Sequence, residues 1–153
     1  MKTQKEKGFT IIEVVLVLAI AGLIFLMVFI ALPALQRGQR DTQRKNDLSR
    51  LNTALSSYQS NNRGALPANV AAWTSFVSRY VVVSGDTFVD PSGTDYRIST
   101  TASLPTSFDA QNPVIVVTTG ATCNGEGIRT GQGARKVAFR MKLEGSGTAC
   151  ENN

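Results

Sequence analysis

The chain has 153 residues, a net charge of +5, two cysteines and no histidine. That length allows one small domain beside an N-terminal apolar segment. With no compact metal-ligand spacing, nucleophile–base pair or phosphate loop, neither a metal, a cofactor nor an enzymatic activity is expected.

Residues 1–8, MKTQKEKG, form a basic leader in which Lys2, Lys5 and Lys7 stand against Glu6. Beyond them, Val14 to Leu32 are all apolar or glycine, nineteen residues in a row. As a helix rising about 1.5 Å per residue, this run spans a hydrocarbon core. The simplest reading is a membrane anchor. A conventional secretory signal has a shorter apolar run, and the Ala19-Ile20-Ala21 spelling of a cleavage site falls in the middle of this one.

One acid, Glu13, lies inside the segment, where acids are expensive and mark function by default. It follows Phe9 by four residues, about 6 Å of helix rise. Were the chain cut between Gly8 and Phe9, Phe9 would carry a new α-amine. Glu13 of one helix could then meet that amine on a neighbour staggered by the same rise, which would select a single register. Without such a cut, Glu13 is an acid near the headgroups, and the residues alone leave the two readings even. Gly22 weakens the helix, and Pro33 removes a backbone donor to Phe29. The segment is therefore either a slightly bent span or one built to stretch or melt in a second environment.

Past Pro33, Leu48, Leu51, Leu55 and Tyr58 recur at helical spacing, an apolar stripe made to pack on a domain. Asn61, Asn62 and Gly64 supply the stop, so a helix from residue 9 to about 60 would be roughly 75–80 Å long. Residues 36–50 carry Arg37, Arg40, Arg44, Lys45 and Arg50 against Asp41 and Asp47, read as a solvated face flanking a membrane. Asn69 caps an expected helix over 70–80, with Trp73 as a core anchor.

Ser84-Gly85-Asp86 and Asp90-Pro91-Ser92-Gly93 are turn signals. Strand-like runs cover 95–100, 113–119 and 135–143. In the last, Val137, Phe139, Met141 and Leu143 share one face, and Lys136, Arg140 and Lys142 form a wet stripe on the other, a candidate phosphate contact without interleaved aromatics. Residues 120–133 read as a glycine-rich loop, and the tail 151–153 carries no signal. Cys123 and Cys150 read as one disulfide of an exported domain, with two free thiols as the alternative. The fold class is α+β: a long N-terminal helix, apolar then amphipathic, packed on a small antiparallel sheet.

Lys7-Gly8-Phe9-Thr10-Ile11-Ile12-Glu13, followed by the apolar helix, resembles the class III signal of the type IV pilin and pseudopilin superfamily. In that pattern a short basic leader ends in Gly, cleavage precedes Phe, and Glu is the fifth residue counting from Phe. Gly8, Phe9 and Glu13 match it. Gly22 stands where the family commonly has a loosening glycine, whereas Pro33 is three residues later than the usual proline.

The resemblance implies a cleaved leader 1–8, a membrane and filament-core helix 9–35, an amphipathic half 36–62 and a globular head 63–153. A prepilin peptidase would cut after Gly8 and methylate Phe9. The chain would wait in the membrane as a single-pass protein. A pilus assembly machine would then extract it into a helical homopolymer outside the cell, with Glu13 docking each incoming subunit. The expected function is a type IV pilus subunit for surface attachment or twitching motility. The alternatives are a pseudopilin of a type II secretion system and a DNA-uptake subunit using Lys136, Arg140 and Lys142.

The Asp90-Pro91-Ser92-Gly93 turn resembles that of major pseudopilins, some of which bind calcium, but Asp90 and Asp95 are too few for a calcium cage. Five Lys or Arg follow the span within residues 36–50, so the positive-inside count alone does not place the N-terminus in the cytoplasm; the leader motif and the cysteine pair do.

Overall fold

The computed structural model describes residues 8–83, 85–100 and 103–153. The leader residues 1–7, the expected turn residue Ser84, and Thr101 and Ala102 lie outside the described residues. The chain divides into two compact units, Met1–Gln36 and Arg37–Asn153.

Helix α1 runs unbroken over Ile11–Asn61, through both Gly22 and Pro33. It stops where the sequence asks it to. Arg63 and Gly64 take positive φ, and the Gly64 N–H reaches back to the Gln59 carbonyl at 2.7 Å, closing the last turn in the Schellman manner.

In the second unit, α1 lays Leu48, Leu51 and Leu55 on the core with no exposure. Helix α2, Val70–Phe76, is capped by the Asn69 side chain, which accepts from the Ala72 N–H at 2.9 Å. The helix expected over 70–80 forms as α2 followed by a π-helical turn, Val77–Val81. Trp73 is a core anchor: it meets Phe76 and Phe139 edge to face at 5.5 and 5.8 Å between ring centroids.

Strands β1 (Arg97–Ser99), β2 (Val114–Thr119), β5 (Val137–Lys142) and β6 (Thr148–Asn152) make one sheet in the order β1-β2-β5-β6. Strands β3 (Ala121–Asn124) and β4 (Gly127–Thr130) make a separate hairpin. Three sequence expectations change here. The sheet is mixed, because β1 runs parallel to β2. The glycine-rich stretch 120–133 is a hairpin rather than a loop, and its short, polar strands carry too weak an alternation to be seen. The tail is structural: Asn153 accepts from the Val137 N–H through Oδ1 and donates to Gln59 and to the Arg135 carbonyl.

The inner face of the sheet supplies Ile115, Val117, Val137, Phe139 and Met141 to the core shared with α1 and α2. The outer face is not uniformly wet. Hairpin β3–β4 lies against β5 and β6, and Val116, Ala121 and Ala138 are buried on that side.

The basic stretch 36–50 also differs from expectation. Arg44, read as part of a solvated face, has no exposed surface. Its Nε and Nη2 donate to Asp90 at 2.7 and 2.8 Å, and its Nη1 donates to Asp41 at 2.8 Å and to Glu144 at 3.3 Å. The guanidinium lies 4.0 Å from the centroid of the Phe108 ring. Asp41 in turn accepts the backbone N–H groups of Glu144 and Gly145 at 2.9 and 2.7 Å. A Cβ on Gly145 would stand 2.9 Å from Asp41 Oδ2, so a larger residue there would push on that carboxylate. Arg40 closes on Glu144, and Arg50 on Asp47 and Asp86. The helix spacing of residues 40, 41 and 44 and the turns at 90–93 and 143–147 thus consume charges that looked surplus in the sequence.

Burial opposes the charge on Arg44, but Asp90 and Asp41 outweigh it and hold the guanidinium protonated beyond its ordinary range. Burial also pushes against the Asp90 carboxylate, and Arg44 and the Ser92 N–H more than compensate, so its pKa is lowered. The Asp47 carboxyl is raised by burial despite the hydrogen bond it accepts from Tyr96 at 2.9 Å.

Candidate functional site

The first unit holds the residues that the sequence marks for processing and docking. Gly8 is exposed, and Phe9 is 89% exposed. From Ile11 to Leu35 every large apolar side chain is exposed in the single chain, among them Leu16, Phe25 and Phe29. An 18-residue window of α1 has a mean hydropathy of 3.2 and none of it is buried, so the helix is long and apolar enough to cross a membrane. Surface of this kind has to be covered by lipid or by protein.

Glu13 is not left bare. Its Oε2 accepts from the Thr10 N–H at 2.8 Å and from the Thr10 hydroxyl at 2.7 Å, while the Glu13 N–H points to Thr10 Oγ1 at 3.4 Å. With Ile11 the first helical residue, Thr10 is the N-cap and Glu13 the third position of the helix, the reciprocal capping box. Three effects therefore favour an acid at this position: the box, the free N–H groups of the first turn, and the helix dipole. The spelling Thr10-Ile11-Ile12-Glu13 before an apolar run is a capping-box signature, and reading Glu13 only for its long-range partner passes over it.

Both side-chain bonds use Oε2, so Oε1 of Glu13 takes no hydrogen bond among the described residues. Phe9 and Val14 occupy the two positions of a hydrophobic staple and line one apolar recess with Glu13, Val17 and Leu18. The cap thus fixes where the helix begins, at Ile11, two residues past Phe9.

Gly22 has open space around the position of a Cβ, so no neighbour among the described residues requires a glycine there. Pro33 sits inside continuous helix.

In the second unit, Cys123 and Cys150 are joined as a disulfide, with Cα atoms 5.8 Å apart. The bridge ties hairpin β3–β4 to strand β6. Cys150 is cross-strand from Arg140 and so shares its face of the sheet.

That geometry corrects the wet basic stripe of Lys136, Arg140 and Lys142. Arg140 is only 9% exposed, buried on the face over which the disulfide holds the hairpin, and burial lowers its pKa. Lys136 is exposed but donates to the Asn153 carbonyl at 2.9 Å. Lys142 is partly exposed at the far end of β5. The period-2 alternation puts Arg140 and Lys142 on one face of β5, with Lys136 just ahead of the strand; it could not show that a separate hairpin covers part of that face.

At Asp90, the oxygens that a calcium reading would use are occupied by Arg44 and the Ser92 N–H. Among the described residues no group of three acidic, cysteine or histidine side chains is arranged to hold a metal.

Residues 3–29 match the family model described as the prokaryotic N-terminal methylation motif. Comparison with curated proteins and with solved structures yields no match. The matched span takes in Gly8, Phe9, Thr10, Glu13 and Gly22, the cap, and the exposed apolar run as far as Phe29. This chain therefore carries at its N-terminus the class III signal segment of type IV pilins and pseudopilins.

Proposed function

We propose that the protein is a structural subunit of a type IV pilus, cleaved after Gly8, methylated on Phe9 and assembled from the membrane into a filament. The observation that carries this reading is the methylation motif on a helix whose large apolar side chains from Ile11 to Leu35 are all exposed among the described residues. In the bilayer, lipid covers that half. In the polymer, the same half of other copies covers it, so extraction exchanges one apolar environment for another and the driving force lies in packing.

Processing and docking follow from the residues at the margin. The peptidase needs a reachable bond, and Gly8–Phe9 is exposed just ahead of the cap. Cleavage leaves an α-amine on Phe9. Glu13 keeps Oε2 on Thr10 and offers Oε1 to the amine of a neighbouring subunit, so the acid remains satisfied before and after assembly. An amine or carboxylate left alone in that surrounding is costly, and register follows from this penalty. The disulfide head, placed outside the cell, carries the contacts for attachment or twitching motility.

The test is to isolate surface filaments and analyse their main subunit by mass spectrometry. The expected result is an N-terminal N-methyl-Phe9 in an abundant filament. A retained leader would sink the proposal. Short periplasmic polymers, with a secretion defect on deletion, would identify a pseudopilin instead.

A further inference from the structure

Of Lys136, Arg140 and Lys142, Lys142 alone has no hydrogen bond or ion pair among the described residues. It stands between two recesses of about 230 and 370 Å³, and lines both. Thr106, Ser107 and Phe108 also line both, so the two are lobes of one cleft over the 105–109 segment. Together the lobes are of the size that small-molecule sites occupy.

The chemistry of the lining is mixed in a specific way. Lys142 offers a free ammonium. The hydroxyls of Thr106, Ser107 and Ser146 have no partner among the described residues. Ser146 holds φ at 81°, a left-handed conformation that a serine adopts at a cost, and lines the second lobe. The Phe108 ring has the Arg44 guanidinium stacked over it, 4.0 Å from its centroid, and contributes apolar wall to both lobes. Two acids border the cleft, and they are not equivalent. Glu144 is neutralised by Arg40 and Arg44. Asp109 spends one oxygen on the Gln111 N–H and keeps the other.

We propose that this cleft binds an acidic saccharide, a sugar ring bearing a carboxylate or a phosphate. Lys142 takes the oxyanion, a charge-assisted bond. The hydroxyls and the second oxygen of Asp109 take ring hydroxyls. Phe108 supplies apolar surface to the C–H groups of the ring. A bare anion would leave Asp109 as an unfavourable neighbour, and a neutral sugar would leave Lys142 without a partner, so the two features together select a ligand with both parts. The site is independent of the N-terminal segment and does not depend on the filament reading.

The experiment titrates the full chain in detergent micelles with glucuronic acid and glucose 6-phosphate, using glucose and inorganic phosphate as controls, and follows backbone amide signals. Saturable shifts at residues 106–109 and 142–147 are expected with one or both acidic sugars, and weaker ones with either control. Lys142→Gln should weaken binding by about tenfold or more, the loss of one hydrogen bond to a charged group, with unchanged amide signals in α2. Lys142→Arg should retain most of it. The proposal is overturned by the absence of saturable shifts, by Lys142→Gln binding as well as the parent, or by inorganic phosphate binding as tightly as the sugars.

Discussion

Arg44 and Asp90 form a two-pronged ion pair, with Nε and Nη2 of one on the two carboxylate oxygens of the other, and neither side chain has any exposed surface. The pair joins α1 to the turn at 90–93. Through Asp41 and Glu144 it extends to the turn between β5 and β6. Three segments distant in sequence are held by one guanidinium.

Arg44→Met should destabilise the head by about 3–5 kcal/mol, because it leaves Asp90 buried without a counter-charge. Adding Asp90→Leu should recover part of that loss, since removing both charges also removes the unpaired one. Urea unfolding followed by tryptophan fluorescence, with Trp73 in the core, measures both variants. A double variant no more stable than the single one would show that the charge is not the cause.

Acid should weaken the head below about pH 4. Asp90 and Glu144 have folded pKa values below their ordinary 3.8 and 4.5, so they contribute stability that is complete above those values and is lost as the pH falls through the folded ones. Asp47 acts in the opposite sense. Its pKa is raised above 3.8, so its charged form costs stability at neutral pH, and protonation relieves that cost. The net acid loss is therefore smaller than Asp90 and Glu144 alone would give. Urea midpoints at pH 7, 5 and 3 test this, and Asp90→Asn should flatten the decline while lowering the midpoint at pH 7.

Replacing Cys123 and Cys150 by serine should cost about 3–4 kcal/mol from the loop they close. It should also release hairpin β3–β4 and uncover Arg140. Hydrogen exchange gives a direct reading: faster exchange in 121–130, with β2 protected as before. Equal protection of the hairpin in both forms would mean that backbone contacts hold it without the bridge.

Glu13 has two roles that substitutions can separate. Glutamine keeps the capping box and removes the charge, whereas alanine removes both. If the amine pairing drives docking, Glu13→Gln and Glu13→Ala should both be processed and both fail to assemble normally. If the cap alone matters, Glu13→Gln should assemble. Thr10→Val should fray the first turn, visible as loss of helical signal at Ile11 and Ile12, while leaving the charge of Glu13 in place. Filament yield on the cell surface, together with leader removal, distinguishes these outcomes.

Much of the fold could be read from residue order because the signals are local. The run from Val14 to Leu32, the stripe of Leu48, Leu51 and Leu55, the Asn69 cap and the alternation around Val137 each depend on neighbours within a few positions. The hairpin β3–β4 and strand β6 could not be read in this way. Their strands are short and polar, and they are held by the disulfide to Cys150 and by Asn152 and Asn153, whose partners lie far off in the chain.

The sequence by itself determined the N-terminal segment: Gly8–Phe9, the Thr10–Glu13 box and the apolar run are contiguous, so their chemistry needs no fold to be recognised. Only the tertiary structure decided the fate of the charges. Arg44, Arg140 and Lys142 look alike in sequence, yet one is buried in an ion-pair cluster, one lies beneath a hairpin and one lines an open cleft. Charge is a property of a residue, but its solvation and its partner depend on segments that arrive from elsewhere in the chain.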